Sequence, residues 1–225
     1  MSTPALELAT HFVFDEGGRI VSTREPCATH GPLFVIFRSA TQCAWAIRDD
    51  VPSEVAEKLA ALAAGEPPSR ELRAAPVHTA EYLALSGGQP GFHGPVFHFP
   101  ETLPVTHGVV PIDDERCLQR HFRGWEPGEI AAGRAPVMGV MEGGDAVSIC
   151  FCARRSEYAA AAGLETAEAF RGRGLGARVT AAWAAAIRAT GRVPLYSAAW
   201  TNAPSLAVTR KLGLIPYASE WSVSE

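Results

Sequence analysis

Long apolar runs are missing from this 225-residue chain, and with them any segment of the roughly 18 residues that crosses a bilayer. The start, MSTPALELATHF, has no basic stretch leading into an apolar one, so no export signal is expected. No CxxC pair occurs among the five cysteines, Cys27, Cys43, Cys117, Cys150 and Cys152. Their odd number and scatter suit reduced thiols in a cytoplasmic protein, not a disulfide frame. Basic runs are absent too. At a formal net charge of −4 the chain lacks the clustered Lys and Arg that displace counterions, so neither nucleic acid nor a membrane is an expected partner. A Gly-Lys-Ser/Thr phosphate loop for ATP or GTP is also lacking. What is present is 47% hydrophobic, enough for the core of one large domain, or of one domain with a smaller companion.

Two textures divide the chain. In residues 1–105, His11–Phe14 and Arg19–Ser22 flank a glycine turn, and Leu33–Arg38 and Cys43–Arg48 flank a polar one, the pattern of antiparallel hairpins. A helix is expected from a Ser53 cap, with Val55, Leu59, Leu62 and Ala63 on one face, and a shorter one over Thr79–Leu85. The Gly/Pro/His-rich stretch Gly91–Pro104 is expected as a linker, which makes 1–105 an N-terminal α+β region of unassigned role and 106–225 a second domain. There the order is a strand at Val109–Ile112, two short helices, a hairpin of Val137–Met141 with Ala146–Ala153, and strands near 159–166, Val193–Ala199 and Leu214–Val223. The expected class is α/β (α+β), a mixed, mostly antiparallel sheet flanked by helices.

The most informative segment runs from Gly163 to Ala177. A strand enters a turn bearing Gly172, Gly174 and Gly176, and a helix starts at once, with Val179, Ala182, Trp183, Ala186 and Ile187 on one face. Unpaired backbone N–H groups and the helix dipole favour an anion there, and glycine lets the backbone come close to a phosphate. Arg171 and Arg173 add positive charge. A dinucleotide fingerprint would need an acid about 20 positions further on, and the region around Leu195 has none. A second strand then leads to Asn202, which can cap a helix begun by Pro204 and ended by Gly213.

As a pair, Arg171-Gly-Arg-Gly-Leu-Gly176 and Asn202-x-x-Ser205-x-x-x-x-x-Lys211-x-Gly213-Leu214 resemble the GNAT superfamily of acyl-CoA N-acyltransferases. The resemblance covers about 107–225; residues 1–105 are an extension or a diverged half-copy of the same fold. It implies acetyl-CoA as co-substrate, with its pyrophosphate on the amides of Arg171, Gly172, Arg173, Gly174, Leu175 and Gly176. It also implies pantetheine along Leu164, Glu165 and Thr166, with further contacts from Asn202 and Ser205. Asn202 serves equally as a plain cap, and Lys211 reads as a solvated helix position. No metal is expected; His93 and His98, five apart, are weak ligands.

Transfer to an amine needs the amine deprotonated, the oxyanion stabilised and the thiolate released. The superfamily's usual acid, a tyrosine, is Thr209 here; Tyr196 or Tyr217 are substitutes, though each reads as core or sheet surface. Glu165 is the candidate base, with Glu168 on the loop surface. Cys150 and Cys152 share one strand face and read as packing, and Phe92, Phe97 and Phe99 as acceptor lining or core. The expected activity is N-acetyl transfer to a small-molecule primary amine. A non-catalytic acyl-CoA-binding regulatory module is the alternative, and NAD(P) chemistry a third reading. An apolar edge in the N-terminal half would serve a homodimer.

Overall fold

The computed structural model describes residues 3–225. Its frame is a nine-stranded sheet in the order β4-β3-β11-β5-β10-β9-β8-β7-β6, plus a small hairpin of β1 (Phe12–Phe14) and β2 (Ile20–Thr23). The large sheet contains β3 (Phe34–Ser39), β4 (Cys43–Ile47), β5 (Gln89–His98), β6 (Val110–Pro111), β7 (Met138–Glu142), β8 (Asp145–Arg155), β9 (Ala159–Thr166), β10 (Val193–Ser197) and β11 (Ile215–Ser224). Its pairings are antiparallel except β9 with β10.

The stretch expected as a linker is instead largely β5, the strand between β11 and β10. Its glycines are there because neighbours crowd the backbone. A Cβ at Gly94 would stand 2.0 Å from the Ala198 carbonyl oxygen, and one at Gly91 2.7 Å from the Ser222 and Ser224 hydroxyls. Chain from the N-terminal half therefore fills the middle of the C-terminal half's sheet, and both halves share one set of backbone hydrogen bonds.

Helices α2 (Ser53–Ala64), α3 (Thr79–Ser86), α4 (Leu175–Ala189) and α5 (Ala203–Leu212) lie on one face. α2 begins after Pro52 without a side-chain cap, so Ser53 lies inside the helix and does not cap it. α4 has the expected apolar stripe: Val179, Trp183 and Ile187 are buried with Cys150, Cys152 and Ala160 of the sheet. Its Arg188 donates to the carbonyls of Phe99, Pro100 and Glu101, pinning the chain that leaves β5.

The other face carries α1 (Pro4–His11), which the sequence reading missed although Thr3 caps it and Pro4 starts it. Leu8 and Phe12 pack there with Val35, Phe37, Val96 and Ala218. Further along this face, residues 112–137 cover β8 with Ile112, Leu118, Phe122 and Trp125. The two short helices expected after the first strand of this half are only a 3-10 turn, Glu115–Leu118, and a π-type turn, Ile130–Arg134. Among the described residues no helix is long and apolar enough to cross a membrane.

Candidate functional site

The site begins where two strands part. β9 and β10 pair only over Ala159–Ala161 against Val193–Leu195. Beyond that, β9 pairs with β8 on its far edge while β10 continues beside β5. The edge of β9 from Ala162 to Thr166 that faces β10 is therefore left without a strand partner. It includes Leu164, Glu165 and Thr166, whose backbone groups an extended ligand could complete as an added strand.

At the end of β9 the chain makes a single 3-10 turn, Glu168–Phe170, and enters the glycine loop. Gly172 and Gly174 sit at φ 78° and 76°, conformations that side chains rarely adopt. Gly174 occupies the N-cap of α4 with no side chain closing the helix end, so the first N–H groups of α4 stay open. Gly176 lies under β9, where its Cβ would be 3.5 Å from Leu164. Open amides, an uncapped helix dipole and glycines at positive φ suit a diphosphate.

The arginines of this loop are tied back to it. Arg171 Nε donates to the Thr166 carbonyl at 3.2 Å. Arg173 donates to the Ala169 carbonyl at 3.1 Å and lies over the Phe170 ring, 4.9 Å from its centroid. Lys211, read as a solvated helix position, is exposed as that reading has it, and it also stands at the glycine loop: its Nζ is 3.0 Å from the position a Gly174 Cβ would take. Sequence reasoning missed it because α4 and α5 are brought together only by folding; the lone signal was its place in the second motif.

The side chain of Asn202 accepts from the Ser205 N–H at 3.1 Å, which makes it the cap of α5. Thr209 is buried, with its hydroxyl donating to the Leu206 carbonyl at 2.9 Å. Tyr196 is a core residue; burial pushes its phenol up to about 12 despite a hydrogen bond with Ser205. Tyr217 donates to Glu7 and stacks on His98, with ring centroids 5.6 Å apart. None of the three hydroxyls lies on the free edge of β9. Phe97 and Phe99 are buried around α4, so both are core. His93 and His98 fall on opposite faces of β5, as an odd spacing on a strand requires, and cannot share a metal. Cys150 and Cys152 are buried, and desolvation raises both thiols, Cys152 to about 11, which suits packing and not attack.

Glu165 stands on β9 opposite Ile149, on the face away from α4. Although it keeps solvent access, partial desolvation raises its carboxyl above the usual range; Arg134 opposes this and Glu129 adds to it. Arg134 spans the gap beside it, 3.5 Å from Glu129 and 5.0 Å over the Phe151 ring. Glu168 is exposed beyond the strand end. A groove of about 510 Å³ near Asp113, Glu115, Gly128 and Arg155 contains none of the glycine loop.

Residues 137–222 match the model of a family described as FR47-like protein, which is less than half of the chain. Among solved structures, a GCN5-related N-acetyltransferase from Sphaerobacter thermophilus is 17% identical with a TM-score of 0.50, covering 67% of this chain and 56% of that one. A GNAT-family acetyltransferase from Novosphingobium aromaticivorans is 21% identical at a TM-score of 0.49, covering 61% of this chain and 66% of its own, just under two thirds. A GCN5-related N-acetyltransferase-like protein from Streptococcus suis is 16% identical at 0.47, covering 85% and 84%. At such identities the likeness speaks to the fold. No curated protein matches the chain.

Proposed function

We propose that this chain, whose C-terminal half resembles the GNAT superfamily in its two motifs and its mixed sheet, is an N-acetyltransferase that moves an acetyl group from acetyl-CoA to a primary amine. The observation that carries the reading is the free edge of β9 running into an uncapped helix end with two glycines at positive φ. The amides of 171–176 would hold the diphosphate, and the Leu164–Thr166 backbone the pantetheine arm. Ser205, at the start of α5, would add a contact to the same ligand. The bound thioester supplies an activated acetyl group; the chain holds it at the strand opening and brings an amine to it from the other face. Glu165 offers a carboxylate there to receive the ammonium form of the acceptor.

The leaving thiolate needs no strong acid, since a thiol is a good leaving group, and this accords with a Thr209 hydroxyl already committed to its own helix. A small-molecule acceptor fits a surface without a basic or acidic run, and a cytoplasmic setting fits five unpaired cysteines.

The test is thermal stability with acetyl-CoA, CoA or NAD, followed by thiol release with an amine panel. Ligand at about 100 times its dissociation constant should add about 2.7 kcal/mol, or about 5–10 °C for a chain of this size. The shift should appear with both CoA species, and Gly174→Asp should abolish it. A shift without thiol release would favour a non-catalytic acyl-CoA-binding module; a shift with NAD alone would favour a nucleotide oxidoreductase.

A further inference from the structure

Gly163 stands two residues before Glu165 on the same face of β9, and its missing side chain has a direct cause. It lies opposite Phe151 of β8, whose ring crosses it: a Cβ at Gly163 would be 2.4 Å from a ring carbon. Trp125 meets that ring edge-on, with centroids 5.1 Å apart. The guanidinium of Arg134 lies over the same ring, its Cζ 5.0 Å from the centroid. Strand, ring and guanidinium are thus layered on the face of β9 from which the amine comes, level with the edge that has no strand partner. Two residues along a strand span about 6–7 Å. Glu165 and the Arg134 layer are therefore separated by the length of one small molecule. Desolvation aside, Arg134 acts on the Glu165 carboxyl more strongly than Glu129 does.

Arg134 is held there with most of its hydrogen-bonding capacity unused. A guanidinium has five N–H donors. Among the described residues Arg134 makes one hydrogen bond, from Nη1 to the Ala153 carbonyl at 3.2 Å. Its Nη2 is 3.5 Å from Glu129, an ion pair that fixes the group without claiming its N–H. Its Nε has no partner. The side chain is 15% exposed, so it is screened from bulk water yet open to a ligand. A guanidinium lying over a ring keeps its edges free, and its planar fork matches a carboxylate. The Glu165 carboxylate, exposed at the strand edge, has neither a hydrogen bond nor an ion pair among the described residues. A carboxylate and a guanidinium so placed complement a molecule that carries an amine and a carboxylate close together.

We propose that the acceptor is an amino acid, with Glu165 receiving its amine and Arg134 its carboxylate. This deepens the acyltransferase reading and rests on it. Held at both ends, the acceptor has its nitrogen fixed at the free edge of β9, and orientation toward the thioester is what such a clamp supplies. Arg134 is then the residue that sets acceptor specificity. The carboxamide of the same amino acid keeps the amine but loses the charge, and it replaces one acceptor oxygen by an NH2 group that a guanidinium cannot use.

The test is thiol release from acetyl-CoA with each common amino acid, paired with its carboxamide, and with 2-phenylethylamine, which has no carboxylate. Thermal shift with CoA runs in parallel. At least one amino acid should exceed its amide by about 10- to 100-fold in kcat/KM, the range for a hydrogen bond to a charged group. The amine of an amide is the less basic of the two and so the more available for attack, which weights the comparison against this result. Arg134→Gln should keep the CoA shift, bring the ratio to about one and leave the rate with the amide nearly unchanged. Arg134→Lys should restore part of the ratio, as a point charge without the fork. A wild-type protein that uses amides or 2-phenylethylamine as well as amino acids would overturn the proposal, whether or not the variants fold. So would an equal loss for amino acid and amide in Arg134→Gln, the outcome for a guanidinium that only supports β8. So would a wild-type protein that binds CoA and acetylates no amino acid. A wild-type protein that binds no CoA would instead sink the acyltransferase reading itself.

Discussion

At the residue scale, the informative contrast lies between the arginines of the glycine loop and Lys211. Arg171 and Arg173 are prominent in the sequence, yet each donates to a backbone carbonyl and stiffens the turn. The chain has only two lysines. Lys58 pairs with Glu54 at 2.7 Å, whereas Lys211 has no partner among the described residues and stands at Gly174. A mobile ammonium beside open amides is the natural neutraliser of a diphosphate. Lys211→Ala should weaken CoA binding by about 1.5 kcal/mol, roughly tenfold, and should flatten its salt dependence; isothermal calorimetry at two salt concentrations would read both. Lys211 is exposed, so stability should change little. Asn202 shows the opposite outcome: its residue type suits both cap and contact, and its geometry is that of a cap.

At the element scale, the strands and helices with a clear period were legible. The strands near 34–39, 43–47 and 145–155 are short, largely apolar runs bounded by turns and buried on both faces, and the helix α4 follows the 3.6-residue stripe that burial of one face imposes. β5 was not legible, because Pro90, Gly91, Gly94 and Pro95 are loop residues by local propensity. Their reason is non-local: the Ala198 backbone and the Ser222 and Ser224 side chains occupy the space where Cβ atoms would stand. Gly94→Ala should therefore cost about 3 kcal/mol or more, measurable as a lower denaturant midpoint. It should also close the β5–β10 edge next to the strand opening. A variant as stable as wild type would show that the sheet yields there.

At the scale of the molecule, two predictions follow from the shared sheet and the buried face. Residues 106–225 alone would lack β5 and so leave β10 and β11 unpaired on facing edges. This fragment should show no cooperative thermal transition by circular dichroism; a sharp transition would make 1–105 a true separate domain. The second prediction concerns pH. Burial lifts Glu7 to about 8, against the Tyr217 hydrogen bond and with help from Glu220, so the folded state keeps a proton that the unfolded chain releases near 4.5. Stability from this group is full below about pH 4.5 and is lost as pH rises through 8. His11 is lowered to about 3 by burial and by Arg154, so its contribution runs the other way and is lost as pH falls from 6.5. A neutral Glu7 can donate to the unpaired His11 nitrogen, which fits both directions. Glu7→Gln should therefore flatten the fall in melting temperature between pH 6 and 9, and an unchanged slope would place the titration elsewhere.

The sequence by itself determined the mixed fold class, most regular elements and the glycine loop at the start of α4. Periodicity, turns and helix ends are local consequences of backbone geometry and of burying one face. Only the tertiary structure decided that the N-terminal half supplies the central strand and that Lys211 meets the loop. Each depends on which distant segments lie side by side, and strand pairing between positions more than 100 residues apart leaves no mark in local composition.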